Sequence, residues 1–442
     1  MAKPIVIKKK IVSFNDKIKV NGDKSLSIRW ALLASQAKGI SKAYNLLKSL
    51  DVISTLKCLK KLGVKVRWNK SYCEITGNGL NTYKNKKKII LDAGNSGTLG
   101  RLILGLLVHH RSRVKIIGDK SLSKRDFSRV IMPLKRFGAK FKYKSNYKLP
   151  IEINGLSNAK PINYYETKGS AQCKSTVMLA ALNTKGETII KAKKSRDHTE
   201  ILFKYLKIPI SLKKSRYFDL IKINGQKQFS GFNYNIPSDI SSSAFFIVLT
   251  LLSKKSKLTI ENVNINPSRI GIITILKKMG AKVYFKNKKT HMGEKIADIL
   301  VKSSNKIKSI NCPTDYNSQA IDEFLLIFLV AARAKGISYF KNISELNQKE
   351  SPRLKLGSKI LNMMGIKTQL TNSSIKIYGN PKLIINHKIE VKNYLKDHRI
   401  FMMSMIAALS FGGYWKLHNP DSIKTSFPSF LNLLKKLNKK AK

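Results

Sequence analysis

Acidic residues are scarce in this sequence. Against 85 lysines and arginines there are 25 aspartates and glutamates, a formal charge of +60. Cysteine is scarcer still: Cys58, Cys73, Cys173 and Cys312 are scattered with no C-x-x-C spacing. That argues against a disulfide framework and a cysteine-built zinc site, and fits a reducing compartment. The histidines show no H-x-x-x-H pair and no Cys/His pairing, so nothing asks for a metal. There is no G-x-G-x-x-G motif and no Ser/His/Asp ordering that points to a triad. Long hydrophobic runs are missing as well. The longest, Ile400 to Leu409 with its flanks, falls short of the roughly 20 residues a membrane span needs and reads as a buried helix. The opening MAKPIVIKKKIVSF has no apolar h-region. The expectation is a soluble, cytoplasmic chain without membrane association, metal or cofactor.

What is present is a chain of 442 residues, 43% hydrophobic, enough for two or three domains and a real core. The positive excess has three readings: nucleic-acid binding, steering of anionic substrates, and a coding bias toward Lys, Asn and Ile. Basic residues run along the whole chain rather than gathering in an arm or stripe. Only about one in six is Arg, the better bidentate partner for phosphate. Coding bias therefore accounts for most of the charge, nucleic acid is not an expected partner, and the few arginines become informative.

A theme recurs about every 70 to 80 residues. A short polar or Gly-containing stretch opens directly into an apolar helix. The openings are GDKSLSIRWALLAS from Gly22, GNSGTLGRLILGLL from Gly94, GSAQCKSTVMLAAL from Gly169, SDISSSAFFIVLTLL from Ser238, NSQAIDEFLLIFLVAA from Asn317 and KDHRIFMMSMIAAL from Lys396. These helices are apolar nearly all round, which predicts burial. Their N-termini, with free N–H groups and a partial positive charge, are natural anion sites. LKKLGVKV, LKRFGAKF and LKKMGAKV form a second recurring unit: an amphipathic helix, a glycine at its end, then a strand. The pattern predicts an α/β chain of six similar units, three before about residue 236 and three after. The closing LLKKLNKKAK reads as a frayed basic tail.

The stretch KESPRL, Lys349 to Leu354, concentrates charge most. A helix would place Lys349 and Arg353 on one face with Glu350 beside Arg353. Two cations there repel unless an anion sits between them, so the cluster suggests a small anionic ligand, with Glu350 free for proton transfer. The bland alternative is a solvated helix start. Other motifs repeat the theme. Lys24, Ser25 and Arg29 stand in GDKSLSIR; Asn95 and Gly97 in GNSGT, which runs on to Arg101; Lys124, Arg125 and Arg129 in SLSKRDFSR. Ser170 and Gln172 stand in GSAQ, and Ser195 and Arg196 in KSRDHTE. Asp322 and Glu323 precede FLLIFLVAA, Arg399 stands in DHR, and Lys424 in IKTSFP. Taken singly, each reads equally as a helix cap or a solvated basic face.

In this order, the motifs resemble the 5-enolpyruvylshikimate-3-phosphate synthase family over nearly the whole chain, from Lys24 to Phe427. The resemblance implies two similar domains, 22–236 and 1–21 with 237–442, each a pseudo-threefold arrangement of βαβαββ units (an inside-out α/β barrel), closing on substrates by a hinge. It implies transfer of the enolpyruvyl group of phosphoenolpyruvate to the 5-hydroxyl of shikimate 3-phosphate, without metal, by a monomer. By position, Lys24, Asn95, Gly97, Arg125, Gln172, Arg353, Arg399 and Lys424 are implied to hold phosphoenolpyruvate. Lys24, Ser25, Arg29, Ser170, Gln172, Ser195, Arg196, Asp322 and Lys349 are implied for shikimate 3-phosphate. Asp322 matches the base, and Glu350 and Lys24 the proton traffic at the methylene carbon. Gly97 implies sensitivity to glyphosate, the family's competitor of phosphoenolpyruvate. Departures from the pattern are Pro352 where aspartate is common, RDFSR in place of R-P-M-G, an extra residue after Lys424, and Asn21 where proline often stands. The UDP-N-acetylglucosamine enolpyruvyl transferases are the nearest rival, but they use a loop cysteine near the Arg125 region, and no cysteine lies between Cys73 and Cys173.

Overall fold

The computed structural model describes residues 3–439. The chain divides into two compact units. One, the N-terminal unit, is Gly22–Ile236 with His291–Glu294; the other, the C-terminal unit, is formed by the segments before, between and after these.

All six apolar openings become helices, three in each unit. They are Lys24–Ala34, Gly97–Leu106 and Ala171–Leu182, then Ile240–Leu252, Phe324–Ala332 and His398–Phe411. Every residue of Ile240–Leu252 and of Phe324–Ala332 is buried. A helix apolar all round has no face to give to water, so it sits inside and the sheets cover it. Five of the six starts are capped from the residue before the helix or the one it follows: Asp23, Ser96, Ser170, Asp239 and Asp397 each accept a bond from a backbone N–H of the first turn.

In the N-terminal unit each buried helix belongs to a four-stranded sheet built alike. Ile89–Asp92 runs parallel to Val114–Ile117, which pairs antiparallel with Lys148–Asn154 and that with Lys140–Lys144. Asn163–Glu166, Glu187–Lys193, Phe218–Asn224 and Ile210–Lys214 repeat the order. In the third sheet the parallel partner of Lys38–Tyr44 comes from the far end of the unit, Asn233–Asn235. Strand burial alternates, as along Tyr72–Asn78, so one face of each sheet meets the helices. The C-terminal unit repeats the plan with looser edges. Asn15–Ile18 lies parallel to Lys257–Asn264. Single parallel bridges, Lys308 to Lys335 and Asn311 to Tyr339, stand where a fourth strand would pair with Gly336–Phe340. Ile5–Ile7 closes the last sheet antiparallel to Tyr414–Leu417. Each unit has its own contiguous hydrophobic core.

The second recurring motif is present too. Leu50–Lys61, Ser128–Arg136 and Gly271–Lys278 are each followed by a glycine at positive φ, Gly63 (+89°), Gly138 (+108°) and Gly280 (+90°), and then a strand. That left-handed residue ends a helix at no steric cost only when it lacks a Cβ.

Two local expectations are corrected. The helix at KESPRL starts at Arg353, not Lys349: Lys349 is extended (φ −84°, ψ −154°) and Pro352 is the residue before the first helical turn. Proline disfavours a helical residue before it, so Ser351 cannot continue a helix into Pro352. The closing segment is not a frayed tail up to residue 439: Phe430–Lys439 is a helix, anchored by Phe430 and Leu437, both fully buried. Residues 440–442 of that motif lie outside the described residues.

Candidate active site

In the N-terminal unit the predicted residues gather at the starts of its buried helices. Lys24 opens the first helix, and its Nζ donates to Asp51 Oδ2 at 2.9 Å; Asp51 comes from the first turn of Leu50–Lys61. One turn on, Arg29 is 5% exposed. Its fork donates to Thr199 Oγ1 (2.8 Å), Ser175 Oγ (3.0 Å) and the Ser25 carbonyl (3.2 Å). Thr199 follows Ser195 and Arg196 by a few residues, so Arg29 ties that loop to the helix carrying Ser170 and Gln172. Ser195 Oγ is buried with no hydrogen-bond partner among the described residues, which is costly unless a further group supplies one.

Around Gly97 the guanidiniums crowd. A Cβ on Gly97 would stand 2.9 Å from Arg125 Nη1 and 3.1 Å from Arg101 Nη1. Arg125 makes long bonds of 3.5 Å to Asn95 Oδ1 and Ser121 Oγ, while Asn95 itself donates to Asp119 Oδ2 at 2.6 Å. Arg101 donates to Gln172 Oε1 at 2.7 Å and to the Asp126 carbonyl at 3.2 Å, and lies 5.0 Å from the Phe127 ring centre. Gln172 Nε2 in turn donates to Thr98 Oγ1 at 3.1 Å. Burial, with Arg125 and Arg129 adding repulsion, pulls the Arg101 pKa below its usual value. A cation group under that repulsion is relieved by an incoming anion.

In the C-terminal unit the charges form one connected network. Arg353, 1% exposed, donates through Nε to Asp397 Oδ2 (2.9 Å) and through Nη2 to Asp397 Oδ1 (3.3 Å) and Glu350 Oε2. Burial alone would lower the Arg353 pKa, but Asp397, Glu350 and Asp322 together raise it well above the usual value. Ser351 Oγ also donates to Asp397, at 2.8 Å. Asp397 caps the helix that carries Arg399, accepting from the Arg399 N–H at 2.9 Å. The Arg399 guanidinium donates to the Asp322 carbonyl at 2.7 Å and lies 3.8 Å from Glu323 Oε1. Asp322 Oδ1 stands 3.5 Å from Lys349 Nζ and 3.5 Å from Arg353 Nη1. An internal carboxylate, Asp322, thus stands between Lys349 and Arg353, the two cations for which the sequence suggested a small anionic ligand.

Of the residues singled out in this unit, Asp322, Lys349, Glu350, Arg353 and Arg399 are brought together. Lys424 pairs instead with Asp421 at 2.6 Å on an exposed face, the two side chains 60% and 56% exposed. Its neighbour Thr425 reaches the helix start, 3.3 Å from His398 Nδ1. Four residues that matter to the geometry were not singled out as site residues from sequence: Asp51, Asp119, Asp397 and Arg101. Arg101 carried a signal, as an arginine in a lysine-rich chain at the end of a glycine motif; the three aspartates carried none, because their partners are 27, 24 and 44 residues away.

The family model for EPSP synthase (3-phosphoshikimate 1-carboxyvinyltransferase) matches residues 8–434. The 3-phosphoshikimate 1-carboxyvinyltransferase of Ruthia magnifica subsp. Calyptogena magnifica is 41% identical over 417 residues, 94% of each chain. That of Streptococcus mutans serotype c is 37% identical over 423 residues, 95% of this chain and 96% of the relative. Among solved structures, EPSP synthase from Acinetobacter baumannii superposes with a TM-score of 0.86 at 34% identity, covering 99% of this chain and 98% of that one. With six helix starts and their arginines laid out as above, and these likenesses running almost end to end, the chain belongs to the EPSP synthase family, the 3-phosphoshikimate 1-carboxyvinyltransferases.

Proposed function

We propose that the two sets of residues serve a single reaction: the enolpyruvyl group of phosphoenolpyruvate passes to the 5-hydroxyl of shikimate 3-phosphate, giving 5-enolpyruvylshikimate 3-phosphate and inorganic phosphate. The observation that carries the assignment of roles is the crowding of Arg125 and Arg101 against Gly97, where only a hydrogen leaves room for a ligand and its anion. Lys24, Asn95, Gly97, Arg125 and Gln172, with Arg353 and Arg399 from the C-terminal unit, hold phosphoenolpyruvate. Lys424 joins them by leaving Asp421. Lys24, Ser25, Arg29, Ser170, Gln172, Ser195 and Arg196, with Asp322 and Lys349, hold shikimate 3-phosphate. The buried Ser195 hydroxyl then gains the partner it lacks among the described residues.

The chemistry asks for a proton on the methylene carbon of phosphoenolpyruvate and its removal from the 5-hydroxyl. Protonation by Glu350 or Lys24 makes the neighbouring carbon cationic, and the hydroxyl oxygen, losing its proton to Asp322, attacks there. The tetrahedral adduct then expels phosphate as the methyl group returns a proton, so no proton is gained or lost at carbon overall. Asp322 suits the base because Lys349, Arg353 and the Arg399 bond to its own carbonyl fix it from three directions. The protein works as a cytoplasmic monomer; four free, buried cysteines support a reducing setting, with burial pushing the Cys58 and Cys73 thiols up to about 12 and Cys312 to about 11.

Calorimetric binding tests the division of roles. Arg29→Lys and Ser195→Ala weaken shikimate 3-phosphate binding in the absence of phosphoenolpyruvate, whereas Arg399→Lys leaves it unchanged. Loss of that binding in Arg399→Lys, with Arg29→Lys unaffected, would overturn the division.

A further inference from the structure

Arg269 takes no part in the roles above, yet it is among the most deeply buried charges of the C-terminal unit, 2% exposed. It ends the turn NPSR, which is built to hold it. Asn264 Oδ1 accepts from the Asn266 N–H (2.9 Å), Asn266 Oδ1 from the Ser268 N–H (2.8 Å), and the Asn266 carbonyl from the Arg269 N–H (2.8 Å). The guanidinium then reaches the start of helix Ile240–Leu252. Nη2 donates to Ser241 Oγ at 2.8 Å and lies 3.5 Å from Asp239 Oδ1.

An arginine can only donate, so its bond to Ser241 fixes which way the hydroxyl proton points. It points at Glu323 Oε1, the carboxylate that caps no helix and is fully buried. Glu323 Oε1 faces Arg399 Nη1 at 3.8 Å, and the same Nη1 donates to the Asp322 carbonyl. A directed chain therefore runs Arg269, Ser241, Glu323, Arg399, Asp322, across the starts of three buried helices. We propose that Arg269, acting through the Ser241 hydroxyl and Glu323, is a positioning residue that sets the Arg399 guanidinium for the carboxylate or phosphate of phosphoenolpyruvate. This rests on the assignment of Arg399 made above.

The test is steady-state phosphate release for Ser241→Ala, Ser241→Thr, Arg269→Lys and Arg399→Lys, varying each substrate at saturation of the other, with a melting temperature for every variant. Ser241→Ala raises KM for phosphoenolpyruvate about tenfold, the worth of one hydrogen bond to a charged group. KM for shikimate 3-phosphate stays within about twofold, a split that general loosening does not give. Ser241→Thr keeps the hydroxyl and restores KM. Arg269→Lys keeps the charge but not the fork and shares the Ser241→Ala defect; should it not fold, Ser241→Ala, which removes a single oxygen, still decides. An unchanged KM for phosphoenolpyruvate in Ser241→Ala, beside a raised one in Arg399→Lys, overturns the relay alone. A lowered melting temperature in Ser241→Ala with both KM values raised alike also overturns it, as a structural role only. An unchanged KM in Arg399→Lys removes the assignment of Arg399 itself, and the relay with it.

Discussion

Gly97→Ala separates folding from function at one position. Gly97 opens helix Gly97–Leu106 directly after the cap Ser96, and its backbone is helical. Alanine is the better helix former, so the fold gains or loses no more than about 1 kcal/mol. The added methyl meets no backbone. Its nearest neighbours are Arg125 Nη1 at 2.9 Å, Arg101 Nη1 at 3.1 Å and Leu122 Cδ1 at 3.7 Å. Ordinary contacts begin near ~3.5 Å, so both guanidiniums back away by roughly half an ångström. The Arg125 bonds to Asn95 Oδ1 and Ser121 Oγ, already 3.5 Å long, give way in that shift. Misplacing a substrate-positioning group by about 1 Å costs up to about 10²-fold. KM for phosphoenolpyruvate, measured by phosphate release at saturating shikimate 3-phosphate, therefore rises by about 10- to 100-fold. KM for shikimate 3-phosphate changes little. A KM for phosphoenolpyruvate within about twofold of wild type, in a protein of unchanged melting temperature, would refute the placement of that ligand beside Gly97.

Three further outcomes follow from the same geometry. Arg353→Met leaves Asp397, fully buried, without its cation, and chemical denaturation should show a loss of about 3–5 kcal/mol together with loss of turnover. The Asp397 pKa lies below the ordinary 3.8, because Arg353 and His398 outweigh both burial and the Glu350 charge, which push it up. A depressed carboxylate adds stability that is fully present above its ordinary pKa and lost as the pH falls through the folded one. Thermal melts of the wild type should accordingly weaken below about pH 4, and Arg353→Met, already lacking that contribution, should show a shallower acid-side slope. Lys424→Ala breaks an exposed pair with Asp421 and should cost less than about 1 kcal/mol of stability, while raising KM for phosphoenolpyruvate; an unaltered KM would remove Lys424 from the site.

The periodic part of this chain was legible because it is local. Six polar openings into all-apolar helices, and glycines closing the amphipathic ones, are patterns within a dozen residues, and each became the expected element. Pairing across the sheets was not legible: nothing in Asn233–Asn235 announces that it completes a sheet with Lys38–Tyr44. The site divided along the same line. Cations stood out in motifs, but their internal partners did not, since Asp51, Asp119 and Asp397 meet Lys24, Asn95 and Arg353 only after folding. The repulsion argument at Lys349 and Arg353 called for a small anionic ligand, and nothing in the sequence showed that the Asp322 carboxylate stands 3.5 Å from both cations. Pro352 explains the helix start that helical spacing misplaced, and it leaves the Glu350–Arg353 pair intact.

The most direct test of the whole account is phosphate release from phosphoenolpyruvate, with and without shikimate 3-phosphate, in the wild type, Asp322→Ala and Arg125→Ala. The account predicts release that requires shikimate 3-phosphate and disappears in both variants. Release sustained by UDP-N-acetylglucosamine instead, or undiminished in folded Asp322→Ala, would contradict it.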